Sequence, residues 1–177
     1  SPGTGVTLPP APVERMPGGK IRSVEISRLI CGGNLISGYA HSRDLTYVST
    51  LLKHYFTEEK IFETWARSEQ YGINTMVASS SDSRVDRLYR EYVKRGGKIQ
   101  YIAQVNPQPS DLKTSIRAAA DAGAVGAFLL GNLGDQWTRE GAVGRIGEVV
   151  GIIRDHGLIA GVAGHALRTP MAVEKAK

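Results

Sequence analysis

At 177 residues, with 41% apolar and 22% charged positions, the chain has the length for one domain with a full hydrophobic core and the composition of a soluble globular protein. Its formal charge of +5 invites a nucleic-acid partner, but Lys and Arg are scattered among acids, and the densest basic stretch, RLYREYVKRGGK, sets its aromatics at helical spacing, as buried anchors should be. No window approaches the roughly 18 apolar residues of a membrane span, and the single Cys31 excludes an internal disulfide and a cysteine-based metal site.

Residues 1–21 are Pro- and Gly-rich without apolar periodicity and read as an extended arm ahead of one domain over residues 22–177. The chain opens on Ser1, so a periplasmic protein matured by removal of an export signal is one expectation, and the compartment stays open. From Arg22 onward one unit recurs: apolar strand, polar loop, amphipathic helix, glycine, next strand. The strands are SRLICGG, INTMVAS, IQYIAQV, VGAFLLG and LIAGVAG. Their nearly continuous apolar character is that of parallel strands covered on both faces.

The helices carry apolar stripes: Leu45, Val48, Leu52 and Tyr55, then Ile61, Trp65 and Ala66, then Val85, Leu88, Tyr89 and Tyr92, then Val143, Ile146, Val150 and Ile153. Start signals stand at Asp44, Thr57, Ser110, Thr138 and Thr169. EQYGIN, KRGGKIQ, DAGAVG and DHGLIAG supply terminating glycines between a helix and the next strand. The alternation predicts a parallel α/β domain.

In such a domain the working groups gather at the C-terminal ends of the strands. After the first strand, ICGGNLISGYAHSRD lacks the GxGxxG spacing of a nucleotide loop and instead offers Asn34, His41, Arg43 and Asp44. Asp44 also fits the N-cap of a helix lying over the rim as a lid. Ser79 to Asp82 follow the second strand, Gln104 and Asn106 the third, Asn132 and Asp135 the fourth, and His165 the fifth. His165 suits a general acid or base, with His41 and Arg43 as its catalytic partners. Asn34, Gln104, Asn106, Asn132 and Asp82 suit substrate hydroxyls, although strand-end amides also satisfy loop backbone. His165 and His41, with Asp44 or Asp82, form a candidate set for a divalent metal. Nothing beside Cys31 or the run Ser79-Ser80-Ser81 marks a nucleophile.

SVEISRLICGGN at the first strand and TEEKIFETWARSEQYGINT leading into the second resemble the aldo-keto reductase superfamily. That resemblance implies a parallel (β/α)8 TIM-type barrel, of which this chain holds about the first five βα units, the remaining strands coming from further sequence or from another chain. It also implies NADP as cofactor and a catalytic Asp, Tyr, Lys and His. The matching positions depart from that set: Val77 stands at the aspartate, Asp82 near the tyrosine with Tyr89 next along, Gln104 at the lysine, and Gly131 and Asn132 at the histidine. The expectation is therefore an enzyme on a reductase-like barrel, acting on a small carbonyl- or sugar-type molecule by histidine acid/base or metal-assisted chemistry. An NADP-dependent reductase with relocated groups and a catalytically silent binding barrel are the alternatives. Neither a nucleic acid nor a membrane is expected as partner.

Overall fold

The structure, a computed structural model, describes residues 16–40 and 44–176. An antiparallel hairpin comes first, β1 (Gly18–Ile21) and β2 (Val24–Ser27), turning at Arg22. There follow β3 (Cys31–Gly32), α1 (Tyr47–Tyr55), α2 (Glu58–Gln70), β4 (Thr75–Ser79), α3 (Ser83–Lys94), β5 (Gln100–Val105) and α4 (Thr114–Asp121). The chain continues through β6 (Gly126–Leu129), α5 (Gly131–Arg139), α6 (Val143–Asp155), β7 (Ile159–Val162) and α7 (Arg168–Lys175).

Each of the five expected strands enters one sheet, parallel throughout and in chain order, β3-β4-β5-β6-β7. The α/β class and the parallel order hold. The closed barrel is not formed: the five strands make an open sheet, with β3 at one edge and β7 at the other. No described helix is long and apolar enough to cross a membrane.

The two faces of the sheet differ, which corrects the expectation of burial on both sides. In β5, Tyr101, Ala103 and Val105 are buried beneath the helices, whereas Gln100, Ile102 and Gln104 point to the other face and are half-exposed. Val77 of β4 aligns with Ile102, and Gln104 with Phe128 of β6, so that second face is apolar along its middle and polar toward its C-terminal end. The helical side holds the core. Trp65 of α2, Leu88 and Val85 of α3, Ile116 of α4, Trp137 of α5 and Ile146 and Ile153 of α6 are all almost fully buried against the strands. Trp65 sits at the centre of an aromatic group with Phe62, Tyr89 and Tyr92, at ring separations of 5.4 to 6.4 Å. Truncating such a residue to alanine costs about 3–5 kcal/mol.

The helix signals are borne out unevenly. Gly72, Gly96, Gly123 and Gly157 all take the left-handed φ expected of them, between 75° and 95°. The Thr57 hydroxyl accepts from the Lys60 N–H at the start of α2. Ser110 is displaced as a cap by Asp111, whose carboxylate accepts from the N–H groups of Lys113 and Thr114, each at 3.0 Å. Thr138 starts no helix; it lies in the last turn of α5, and α6 begins at Val143. Asp44 does not cap α1, whose N-cap is Thr46 without a side-chain bond.

The hairpin was not foreseen, since its strand Gly18–Ile21 falls within the stretch read as an extended arm. It docks across the N-terminal ends of β4 and β5. Ser27 N–H donates to Asn74 Oδ1 at 2.9 Å, Asn74 N–H to Ser27 Oγ at 3.0 Å, and Gln100 Nε2 to the Glu25 carbonyl at 2.8 Å. That end of the sheet is thereby occupied, and the C-terminal end is left for a site.

One half-buried carboxylate in the first turn of α3 opposes folding. Burial pushes the pKa of Asp86 up, further than the neighbouring Tyr101 hydroxyl and the Arg90 charge draw it down, and Asp82 adds to the rise. A carboxylate whose folded pKa is raised binds its proton more tightly when folded. Its ionisation therefore weakens the fold as pH climbs from the ordinary carboxylate range through the raised value. Asp86→Asn is expected to increase Tm at pH 7 and to lose that advantage below about pH 4, the ordinary carboxylate range. Thermal melts of both proteins across pH 3 to 8 check this.

Candidate functional site

At the C-terminal end of the sheet the chain turns from β6 into α5 through Leu130 alone, so the first turn of α5 stands where a loop was expected. Gly134 permits this helix to lie directly on the end of β7. A Cβ at that position would come within 2.2 Å of the Ala163 carbonyl oxygen, a contact no other residue can make. The close approach brings Asp135, in the second turn of α5, under the segment that joins β7 to α7.

The Asp135 carboxylate is nearly buried and accepts hydrogen bonds from four groups. The His165 N–H donates to Oδ2 at 2.9 Å, the Ala166 N–H to Oδ1 at 3.2 Å and the Thr169 hydroxyl to Oδ1 at 2.7 Å. The fourth donor is the His165 ring, with Nδ1 2.9 Å from Oδ2. These bonds, led by that of the Thr169 hydroxyl and then the His165 backbone, hold the Asp135 pKa far below the usual carboxylate range. The carboxylate is therefore charged throughout neutral pH. It ties down the segment leading into α7, whose N-cap, Leu167, makes no side-chain cap bond, and reaches the helix itself through the Thr169 hydroxyl. Thr169, read from the sequence as the helix cap, lies inside the first turn and spends its hydroxyl on Asp135.

With Nδ1–H donated to a fixed anion, the neutral imidazole carries its lone pair on Nε2. Nε2 makes no hydrogen bond to a described residue, and the His165 side chain is 69% exposed. It forms one wall of a cavity of about 500 Å³, within the size range of small-molecule sites.

That cavity collects most of the residues picked out from the sequence. Asn34, Gln104, Asn106, Asn132 and His165 all line it, from four places in the fold: the segment after β3, the end of β5, the start of α5 and the segment after β7. The side-chain amides of Gln104, Asn106 and Asn132 have no described protein partner, which leaves them available to a ligand. Asn132 is not the strand-end residue it was read as; it belongs to the first turn of α5. Asp82 is placed elsewhere, as the N-cap of α3, where its carboxylate accepts from the Arg84 N–H at 3.1 Å. Asp44 is exposed ahead of α1 and does not line the cavity. His41 and Arg43 lie outside the described residues. Among the described residues no group of three His, Cys, Asp or Glu side chains comes together to hold a metal ion. The helix expected as a lid forms as α1 but contributes nothing to the lining.

Ser79 and Ser81, placed with the rim groups from the sequence, line it too, whereas Tyr39 was not picked out. The role of Asp135 was missed as well, because GNLGDQ gives no helical signal and only a helix there brings its carboxylate to His165. Comparison with family models, with curated proteins and with solved structures gives no match to this chain.

The stability supplied by Asp135 has a definite pH dependence. Its folded pKa is depressed, so the contribution is complete above the ordinary carboxylate range and disappears as pH falls below it. The parent protein should lose Tm steeply below about pH 4. Asp135→Asn should begin with a lower Tm at pH 7 and show a flatter acid limb, and scanning calorimetry from pH 2 to 7 measures both.

Proposed function

We propose that this chain is an enzyme in which His165 serves as general acid and base toward a small, uncharged polar substrate of the carbonyl or sugar type. The observation that supports it most is the His165–Asp135 hydrogen bond, which turns Nε2 of the imidazole into a cavity furnished with uncommitted amides. A buried carboxylate at Nδ1 orients the ring, selects the tautomer and steadies the imidazolium that forms when Nε2 takes a proton. Asn34, Gln104, Asn106 and Asn132 then bind hydroxyl and carbonyl oxygens, to which amides offer both donors and acceptors.

We read the open sheet as part of a (β/α)8 barrel resembling the aldo-keto reductases, with its remaining strands supplied by further sequence or a second chain. The half-exposed apolar side chains of Val77, Ile102 and Phe128 on one face and the sheet edges at β3 and β7 suit such a completion. The reductase chemistry itself gains no support at the four matching positions. Val77 is apolar, Asp82 is engaged in capping α3, Gln104 is an amide, and Gly131 and Asn132 open α5. A metal-assisted form would use Nε2 of His165 as one donor and needs its further ligands from outside the described residues.

Saturation-transfer NMR against small aldoses, ketoses and polyols identifies ligands, and turnover of those that bind is then followed. His165→Ala should lower kcat/KM by about 10²- to 10⁴-fold, as loss of a general acid/base does, with the far-UV spectrum retained. Unchanged turnover in that variant overturns the assignment.

A further inference from the structure

Resting on the acid/base reading of His165, we infer that the cavity catalyses proton transfer at the carbon next to a carbonyl group, the enolisation of a small hydroxycarbonyl compound. Three features of the lining lead there. The described residues around the cavity include no Lys for a Schiff base, no Cys thiol, and no Asp or Glu within the lining itself. Glycosidic cleavage by a pair of carboxylates is thus unprovided for; Tyr39 and His165 are the titratable side chains of the described lining, and the imidazole Nε2 is the basic lone pair among them.

The second feature is the place prepared for developing negative charge. Gly131 and Asn132, in the first turn of α5, both line the cavity, and first-turn N–H groups have no acceptor within their own helix. They can donate to an oxygen held there without adding a cationic side chain. Asn132 and Asn106 bring side-chain amides to the same space. Preorganised neutral donors of this type are what an enolate oxygen requires.

The third feature joins the base to those donors. Gly131 lies so near the imidazole that a Cβ there would stand 3.0 Å from His165 Cε1 and 3.4 Å from Nδ1. Donor turn and base are therefore in contact, and a carbonyl oxygen resting on the turn sets its α-carbon beside the ring. Gly131 becomes a positioning residue, since a Cβ there would crowd the imidazole and shift it against its Asp135 anchor by a few tenths of an ångström.

The step balances within the substrate. Nε2 removes the α-proton, the C–H electron pair becomes the C=C bond, and the carbonyl π pair moves onto oxygen. The imidazolium, held by Asp135, returns the proton either to the same carbon, giving exchange, or to the former carbonyl carbon. In the second case the hydroxyl proton passes between the two oxygens and an aldose becomes a ketose. No oxidant or reductant is consumed.

The test incubates the full chain in D2O with D-glyceraldehyde, dihydroxyacetone, D-glucose and D-fructose, following the α-C–H signals and the His165 Cε1–H resonance by proton NMR. Expected is enzyme-dependent loss of α-C–H signal for at least one compound, reduced about 100-fold or more in His165→Gln and reduced in Gly131→Ala while the fold is kept. The same compound should shift the Cε1–H resonance. A ligand-dependent shift without exchange above the buffer rate overturns enolisation and leaves the acid/base reading of the site standing. Neither shift nor exchange with any of the four overturns both, and exchange that persists in His165→Gln overturns the assignment of the base.

Discussion

The Asp135 carboxylate ties three parts of the chain together at one point: α5, on which it sits, the segment after β7, and the first turn of α7. Two backbone N–H groups, a hydroxyl and an imidazole all converge on its two oxygens. A nearly buried charge is costly unless it is fully hydrogen-bonded, and here four donors offset the cost. Remove the carboxylate and the His165 and Ala166 N–H groups lose their acceptor, Thr169 loses its partner in a buried position, and the His165 ring is no longer held. The orientation of the candidate base and the closure of this end of the domain are thus one interaction.

A second carboxylate shows what that arrangement accomplishes. Asp86, on α3 and half-buried, meets one phenol and a guanidinium charge, and burial governs it. Its proton affinity rises while that of Asp135 falls. The difference lies in the number of donors turned toward each group, and it separates a carboxylate that anchors structure as an anion from one that resists being charged. The first holds the imidazole that lines the cavity, from just behind the cavity wall.

Much of this was readable from residue order. Strand and helix alternation gave the parallel sheet and its order, because apolar runs and terminating glycines depend on local backbone chemistry alone. Convergence of Asn34, Gln104, Asn106, Asn132 and His165 also followed, since parallel strands bring all their C-terminal ends to one side. The features that escaped depend on contacts between distant residues. The β1–β2 hairpin is held by Asn74 and Gln100, far along the chain. Helix α5 forms from GNLGDQWTR, poor in helix formers, because Trp137 is buried and Gly134 fits against Ala163. Asp82 looked like a rim residue because it follows a strand; its carboxylate satisfies the start of α3 instead. The Asp135–His165 pair spans 30 positions and needs both the unforeseen helix and the glycine contact.

The measurement closest to the centre of this picture is the tautomeric state of His165, read by long-range proton–nitrogen correlation NMR on the nitrogen-labelled full chain at a pH where the ring is neutral. The hydrogen bond to Asp135 requires a protonated Nδ1 and a pyridine-like Nε2, with the Nδ1 preference weakened in Asp135→Asn. A ring protonated at Nε2, or one with the same tautomer balance in both proteins, would contradict the role given to Asp135 and with it the base assigned to the cavity.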